Sequence, residues 1–190
     1  MTAAAAGSAG GAGRNLRIVL VAGEPSGDQL GAALVGALRE LEPTATFEGI
    51  AGPAMRAAGC LAWHPADELG VMGLVEVLPH LPRLLRIRRE LVARLAADPP
   101  DAYVGVDYKE FNLSVGRQLK AKGIRTVQYV SPQVWAWREG RVRGIAAACD
   151  AMLCLLPFET AFYARHGVEA RFVGHPLADQ VPLEPAREAA

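Results

Sequence analysis

Two carboxylates and an amide lie close together in the segment VDYKEFN, residues 106–112. Asp107 comes one residue after a predicted strand, and Glu110 and Asn112 follow it. A carboxylate at the carboxyl end of a parallel strand is well placed to accept a proton from a substrate hydroxyl. The alternative is that Asp107 caps the next helix or accepts hydrogen bonds from loop amides, which is the commoner use of aspartate. The residues alone leave both roles open.

The corner VAGEPSGDQLG lies where a predicted strand meets a predicted helix. Ser26 and Gln29 match a capping box, and Asp28 would lie in the first helical turn, where the macrodipole favours a negative charge. Alternatively, Gly23 and Gly27 let the backbone approach a polar substrate and direct N–H groups at it. The corner is neither a G-x-G-x-x-G fingerprint nor a Walker loop.

The segment SPQVWAWREGRVR, residues 131–143, combines tryptophan with arginine. Trp137 and Arg141 are four residues apart and Arg138 and Arg141 three apart, so one helix end can present cations beside an indole ring. Such a surface suits a phosphate or a sugar ring. A solvated basic helix with its tryptophans in the core has the same spacing, and spacing alone favours it.

The segment MGLVEVLPHLPRLLRIRREL, residues 72–91, interleaves leucine with arginine. Residues 79–97 contain five arginines and one glutamate, a local net charge of +4. This pattern is typical of a membrane-surface helix or a site for anionic lipid. An ordinary helix packed on a sheet would bury all its leucines, but residues 74–85 contain too many apolar side chains for one face. We therefore expect partial exposure.

Short apolar runs alternate with amphipathic stretches along the chain. The predicted strands are residues 16–22, 47–50, 103–106, 126–130, 151–155 and 171–173, and the predicted helices are residues 26–41, 81–97, 113–122, 139–148 and 159–166. This order predicts an α/β fold with a Rossmann-like, doubly wound parallel sheet. Ligands of such sheets bind beyond the carboxyl ends of the strands.

Composition narrows the classes of function. The 190 residues contain 20 basic and 20 acidic side chains, so the net charge of zero gives no general attraction to nucleic acid. Three cysteines without a C-x-x-C pair predict a reduced, cytoplasmic setting and buried thiols, and four scattered histidines give no support for a metal site. We expect residues 1–14 to form a disordered Ala/Gly tail, and no run is apolar enough to span a membrane.

Seven motifs in order, VAGEPSGDQLGAAL, GIAGPAMRAAGC, MGLVEVL, VGVDYKEFN, YVSPQVWAWR, LPFE and VGHPLAD, resemble the lipid-A-disaccharide synthases. The resemblance covers residues 16–183. It implies the N-terminal domain of a GT-B type glycosyltransferase: an acceptor and membrane domain at residues 15–185, with residues 186–190 beginning the connection to a second domain.

The resemblance also implies the reaction. The family is an inverting hexosyltransferase that joins UDP-2,3-diacylglucosamine to 2,3-diacylglucosamine 1-phosphate and releases UDP, without a metal or other cofactor. The expected location is the cytoplasmic side of the Gram-negative inner membrane, as a peripheral protein on its inner face. The chain could also assemble as a homodimer.

The resemblance assigns site residues by position. Asp107 matches the general base that takes the proton of the acceptor's 6-hydroxyl. The substrate-binding residues are Gly23, Glu24, Ser26, Gly27, Asp28, Asn112, Trp137 and Arg138. The membrane-facing residues are Val75, Val77, Leu78, Leu81, Leu84 and Leu85, with Arg83 and Arg86 beside them.

One departure from the family pattern lies next to the expected base. The family commonly reads D-x-P-D-F-N, whereas this chain has Lys109 in place of the proline and Glu110 in place of the second aspartate. Two other functions stay open: a lipid- or membrane-binding module without chemistry, and another UDP-sugar enzyme such as a 2-epimerase.

Overall fold

A seven-stranded, all-parallel sheet forms the centre of the protein. The computed structural model describes residues 15–70, 74–137 and 139–180, with side chains from residue 81 onward in the long third helix. The strands are Arg17–Ala22 (β1), Thr46–Ala51 (β2), Leu61–Pro65 (β3), Ala102–Val106 (β4), Thr126–Tyr129 (β5), Ala151–Cys154 (β6) and Glu169–Phe172 (β7). Their order is β3-β2-β1-β4-β5-β6-β7. The predicted Rossmann-like, doubly wound fold is confirmed.

Helices connect these strands on both faces of the sheet. They are Pro25–Leu41 (α1), Pro53–Ala57 (α2), Leu74–Ala97 (α3), Lys109–Lys120 (α4), Val134–Trp137 (α5), Val142–Ala146 (α6), Pro157–Arg165 (α7) and Leu177–Gln180 (α8). Short 3-10 turns cover Ala66–Glu68 and Glu139–Arg141. No helix in the described part of the chain combines the length and apolar character needed to cross a bilayer.

The direction of winding reverses beside β1. The chain proceeds outward from β1 to β2 and β3, then returns across the sheet to β4 and continues the other way. The carboxyl ends of β1 and β4 are therefore adjacent, with Ala22 paired to Val106. Such a switch point leaves a crevice because the following loops leave in opposite directions.

Alternation along β1 builds both halves of the core. Val19 and Val21 pack in one cluster with residues of α3 and α4, while Ile18 and Leu20 pack in a second cluster with α1 and α2. A two-residue period places successive side chains on opposite faces, so a sheet covered by helices on both sides needs an unbroken apolar run. The predicted burial of Cys60, Cys149 and Cys154 is confirmed.

Several sequence-based boundaries were wrong: the short helices α2, α5 and α8 were not predicted, and α4 begins at Lys109 and not at residue 113. Strand β3 was not predicted, because its partly exposed edge sequence LAWHP lacks the apolar run of the inner strands. The third helix begins at Leu74 and not at residue 81, although Pro79 and Pro82 each remove a backbone donor. The helix predicted at residues 139–148 is a 3-10 turn followed by the short α6.

Candidate active site

The loop after β4 has an unusual backbone conformation. Asp107 has a φ of 49° and Tyr108 a φ of 34°, so two consecutive residues with Cβ atoms adopt left-handed geometry. Each such residue costs about 1–3 kcal/mol and persists only where its surroundings impose the conformation. The strain turns the chain sharply from β4 into α4 and places the Asp107 side chain at the switch point.

Two buried amides hold this turn. The Asn112 Nδ2 group donates to the carbonyl oxygen of Asp107 at 3.0 Å, and the Gln128 Nε2 group donates to the same oxygen at 3.1 Å. Both side chains are almost fully buried, at 1% and 2% exposure. Gln128 was not predicted as a site residue; the available signal was a glutamine in the middle of the predicted strand.

Asn112 also ties the two central strands together. Its amide lies 3.1 Å from the Val21 carbonyl oxygen and 3.3 Å from that of Val106, and its own oxygen accepts a hydrogen bond of 2.9 Å from the Tyr103 hydroxyl. Burial raises the pKa of the Tyr103 hydroxyl, which keeps that donor protonated. Asn112 therefore faces the protein interior and not the crevice.

The Asp107 carboxylate has two charged or polar neighbours. Its Oδ1 atom lies 3.1 Å from Lys109 Nζ, and its Oδ2 atom is 3.4 Å from Ser26 Oγ. The Asp107 side chain is 19% exposed, so the carboxylate is reachable from the crevice. The first turns of α1 and α4, the helices that follow the two central strands, thus each contribute one contact to this carboxylate.

The predicted capping box at Ser26 was wrong. Helix α1 begins one residue earlier, at Pro25, with Glu24 as the N-cap and no side-chain hydrogen bond at the cap. Proline at the first helical position needs no partner for its nitrogen, so the helix can start there without Ser26 as its cap. The Ser26 hydroxyl points instead toward Asp107.

Asp28 caps a different helix from the one to which it belongs. Its Oδ1 atom accepts from the N–H groups of Gly52 at 2.9 Å and Met55 at 3.1 Å, and its Oδ2 atom accepts from Ala54 at 2.8 Å. The residue is 4% exposed. Both oxygens are used inside the protein, where they fix the start of α2 against α1.

The two glycines of this corner allow other parts of the same chain to pack closely against them. A Cβ atom at Gly23 would lie 2.6 Å from the Tyr108 ring, and one at Gly27 would lie 3.2 Å from the Val106 carbonyl oxygen. Gly23 therefore admits the aromatic ring of the β4 loop, and Gly27 lets α1 approach the end of β4.

Two hollows flank the exposed Glu24. The first, about 600 Å³, lies between α3 and the loop that carries Asp107 and is lined by Leu81, Leu84, Leu85, Arg88, Phe111 and residues 107–110. The second, about 530 Å³, lies over the ends of β1 and β2 and includes Asp28, Gln29, Gly52 and Pro53. We call the first hollow the α3 groove.

The basic tryptophan segment connects to the same loop. Arg141 Nη2 lies 2.7 Å and 3.0 Å from the two carboxylate oxygens of Glu110. Trp135 donates to Glu159 at 3.3 Å and packs edge-on against Phe158. The Trp137 side chain and the whole of Arg138 lie outside the described residues.

The leucines of α3 divide between core and surface. Leu84 is 9% exposed and Leu81 is 41% exposed, while Leu85 is half-buried. Arg83 pairs with Glu68 at 3.1 Å, and Arg86 lies 3.9 Å from Glu90. The side chains of Val75, Val77 and Leu78 lie outside the described residues.

Within the described ranges, no group of three or more His, Cys, Asp or Glu side chains is placed to hold a metal ion. The polar groups that line the α3 groove are the carboxylates of Glu24, Asp107 and Glu110 and the cations of Arg88 and Lys109, with the Ser26 hydroxyl beside Asp107.

Comparison with known proteins identifies the family. The profile described as lipid-A-disaccharide synthetase matches residues 18–190. The lipid-A-disaccharide synthase of Alkalilimnicola ehrlichii is 60% identical over 175 residues, covering 92% of this chain and 46% of that protein. Those of Xanthomonas campestris pv. campestris and Yersinia pseudotuberculosis are 57% and 55% identical, over 92% and 94% of this chain and 40% and 45% of theirs.

Among solved structures, MurG of Acinetobacter baumannii aligns with a TM-score of 0.48 at 12% identity, covering 76% of this chain and 42% of that one. The chain spans less than half the length of the curated relatives named above. Because the family profile covers residues 18–190, the chain belongs to the lipid-A-disaccharide synthase family.

Proposed function

We propose that this chain is the acceptor-binding part of a glycosyltransferase of lipid A biosynthesis. The reaction joins UDP-2,3-diacylglucosamine to 2,3-diacylglucosamine 1-phosphate and yields lipid A disaccharide 1-phosphate and UDP. Family membership supports the reaction class. The observation that carries the assignment to this crevice is the Asp107 carboxylate, held by a strained turn at the switch point and reachable from the α3 groove.

In the proposed step, Asp107 accepts the proton of the acceptor's 6-hydroxyl. The hydroxyl oxygen attacks the anomeric carbon of the donor sugar from the face opposite UDP. The bond between that carbon and the diphosphate oxygen breaks, so the configuration inverts and UDP leaves with the electron pair. Proton transfer by a positioned base contributes typically 10²–10⁴-fold to such a step.

In this proposal the buried neighbours position the base, and the exposed neighbours contact its carboxylate. Ser26 donates to one carboxylate oxygen, and Lys109 contacts the other and places a cation at the rim of the groove. Asn112 and Asp28 act from the interior, because each has its polar atoms engaged by protein groups. Gly23 and Gly27 allow the close packing, and Glu24 separates the two hollows.

Cations beyond the base would hold phosphate. Arg138 and Trp137 remain proposed substrate contacts from the family resemblance, and Arg141 lies beside the same loop through Glu110. Charge-assisted hydrogen bonds from arginine are well suited to a sugar phosphate. We further propose that the arginine-rich face of α3, with the exposed Leu81, holds the protein at the inner face of the inner membrane.

The first test is direct. The purified chain is incubated with both acylated substrates, and disaccharide and UDP are measured. The same assay is run on a chimera in which the chain replaces the matching segment of the Alkalilimnicola ehrlichii relative. We expect product from the chimera, abolished by Asp107→Ala.

Two results would contradict the proposal. A chimera that folds and yields no disaccharide rules out the activity. If the chimera makes no product but the purified chain binds anionic vesicles and the acylated phosphate, the result supports a lipid-binding module without chemistry.

A further inference from the structure

The α3 groove combines an apolar wall of leucines with five charged lining residues: Glu24, Arg88, Asp107, Lys109 and Glu110. Leu81, Leu84 and Leu85 form the wall on α3, and Phe111 lines the opposite side. The carboxylate of Asp107 and the ammonium group of Lys109 lie where β4 leads into α4 and line the same groove. The shape suits an amphiphile whose polar head reaches Asp107 while its tail extends along the leucines.

The wall is built into the fold. Leu84 and Phe111 are each 9% exposed and belong to the core cluster shared by α3, α4 and the sheet. A flat membrane surface cannot contact side chains at this depth, whereas a single chain lying in the groove can. A volume of about 600 Å³ lies within the 300–1,000 Å³ that ligand pockets commonly have.

Arg88 also lines the groove, one turn of α3 beyond the leucines. It is half-buried, and its Nη1 group donates to Ser114 Oγ at 2.8 Å. Leu81 and Arg88 are seven residues apart, so the α3 side of the groove, from the first leucine to the arginine, extends roughly 10 Å along the helix axis. The distance and the guanidinium group together set a finite length for an apolar ligand.

We infer that the α3 groove binds one acyl chain of the acceptor, namely a chain on the sugar whose hydroxyl faces Asp107. The inference rests on the proposed function and adds to it a chain-length-dependent subsite. The leucines that the sequence pattern assigned to the membrane surface then serve substrate binding as well. Binding the chain beside the base would hold the sugar for proton transfer.

The experiment measures binding by calorimetry to the purified chain, without vesicles or detergent. The probes are glucosamine 1-phosphate and its 2,3-diacyl forms with four-, six- and eight-carbon chains, each below its micelle concentration. Burial of one methylene group contributes about 0.8 kcal/mol, which is about three- to fourfold in affinity. We expect affinity to rise by this factor for each added methylene on one chain, then to level off once the groove is filled.

Groove variants test where the chain lies. Leu85→Trp fills part of the groove, so the affinity should level off at a shorter chain while glucosamine 1-phosphate binds as before. Leu41→Trp is the matched control, because Leu41 is 76% exposed at the far end of α1. If Leu85→Trp does not fold, Leu81→Gln at an exposed position should lower acyl-chain affinity about tenfold or more.

The outcomes separate the two proposals. Equal affinity for acylated and deacylated probes would overturn the groove assignment and leave the proposed function standing. Binding of none of the probes would count against the proposed function itself. A gain with chain length that Leu85→Trp and Leu81→Gln both leave unchanged would place the chain elsewhere and overturn the inference.

Discussion

The side-chain amide of Asn112 lies 3.0 Å from the backbone carbonyl oxygen of Asp107, which it holds together with Gln128. The two residues are only five apart in sequence. The same Asn112 amide also donates to the carbonyl oxygen of Val21 on the neighbouring strand. The left-handed conformation of Asp107 is therefore fixed from inside the protein. The Asp107 carboxylate takes no part in these buried contacts and faces the crevice beside Lys109 and Ser26.

Asn112→Ala should destabilise the fold and reduce turnover together. The change leaves buried carbonyl groups and the Tyr103 hydroxyl without their donor or acceptor, at a cost of about 2–3 kcal/mol in the free energy of unfolding. Urea unfolding of the chain measures this cost. Gln118→Ala is the control, since Gln118 is an exposed amide on the same helix. An equal loss in both variants would contradict the positioning role.

Asp107→Asn should remove activity without unfolding the protein. An amide of the same shape cannot accept the hydroxyl proton as the carboxylate does, so kcat of the chimera should fall by about 100-fold or more. Unfolding by urea should stay within about 1 kcal/mol of the unchanged protein, because the Lys109 pair is partly exposed. Glu42→Gln, at an exposed residue beyond α1, is the control. Retained turnover would show that Asp107 is not the base.

Lys109→Met tests whether the ion pair beside the base is needed. The turn is held by two buried amides, so losing the pair should cost less than about 1 kcal/mol in stability. The family pattern has proline at this position, and we therefore expect kcat to change by less than about fivefold, a free-energy difference below about 1 kcal/mol. Steady-state kinetics of the chimera measures it. A hundredfold loss would make Lys109 part of the catalytic machinery.

Asp28→Ala should lower the stability of the fold, because Asp28 holds the segment that follows β2. The carboxylate satisfies three N–H groups at the start of α2, and its removal leaves them without an acceptor. We expect a loss of about 3 kcal/mol in the free energy of unfolding. Glu40→Ala, an exposed acid on the same helix, should change stability by less than about 0.5 kcal/mol. Similar values for the two variants would mean that Asp28 is not a structural cap.

Asp150 should make stability depend on pH in the acid range. Burial raises the pKa of Asp150, but hydrogen bonds from Thr126 and the charge of Lys120 outweigh it and hold the pKa below its ordinary value of 3.8. A lowered pKa stabilises the fold above the ordinary value and loses that contribution as pH falls through the folded-state pKa.

The test compares Asp150→Asn with the unchanged protein by urea unfolding between pH 7 and pH 3. The difference should be largest at pH 7 and shrink below about pH 4. A difference that stays constant over this range would show that the carboxylate charge contributes nothing.

The sequence predicted the layered α/β fold because β1 and β4 are unbroken apolar runs, which only a sheet covered on both faces can bury. It also placed Asp107 at a strand end. It gave no sign of Gln128 as a partner of Asp107, because the two residues meet only when β4 and β5 pair side by side.

Local patterns were misleading where a longer-range contact was stronger. The capping box at Ser26 has the right spacing, yet proline at position 25 starts the helix earlier and Ser26 turns to Asp107, 81 residues away. Asp28 likewise lies in α1, but its side chain accepts hydrogen bonds from the start of α2. Such polar side chains bond to partners that the fold brings near, and the local sequence does not reveal which partners those are.

By itself, therefore, the sequence determined the alternation of the inner strands with helices, the family and the position of the carboxylate at a strand end, because apolar periodicity and motif order are properties of the chain. Tertiary structure alone decided which residues hold that carboxylate, which face the interior, and that α3 and the β4 loop enclose a groove between them. These depend on strand order in space, which brings the ends of β1 and β4 together across about eighty residues of sequence.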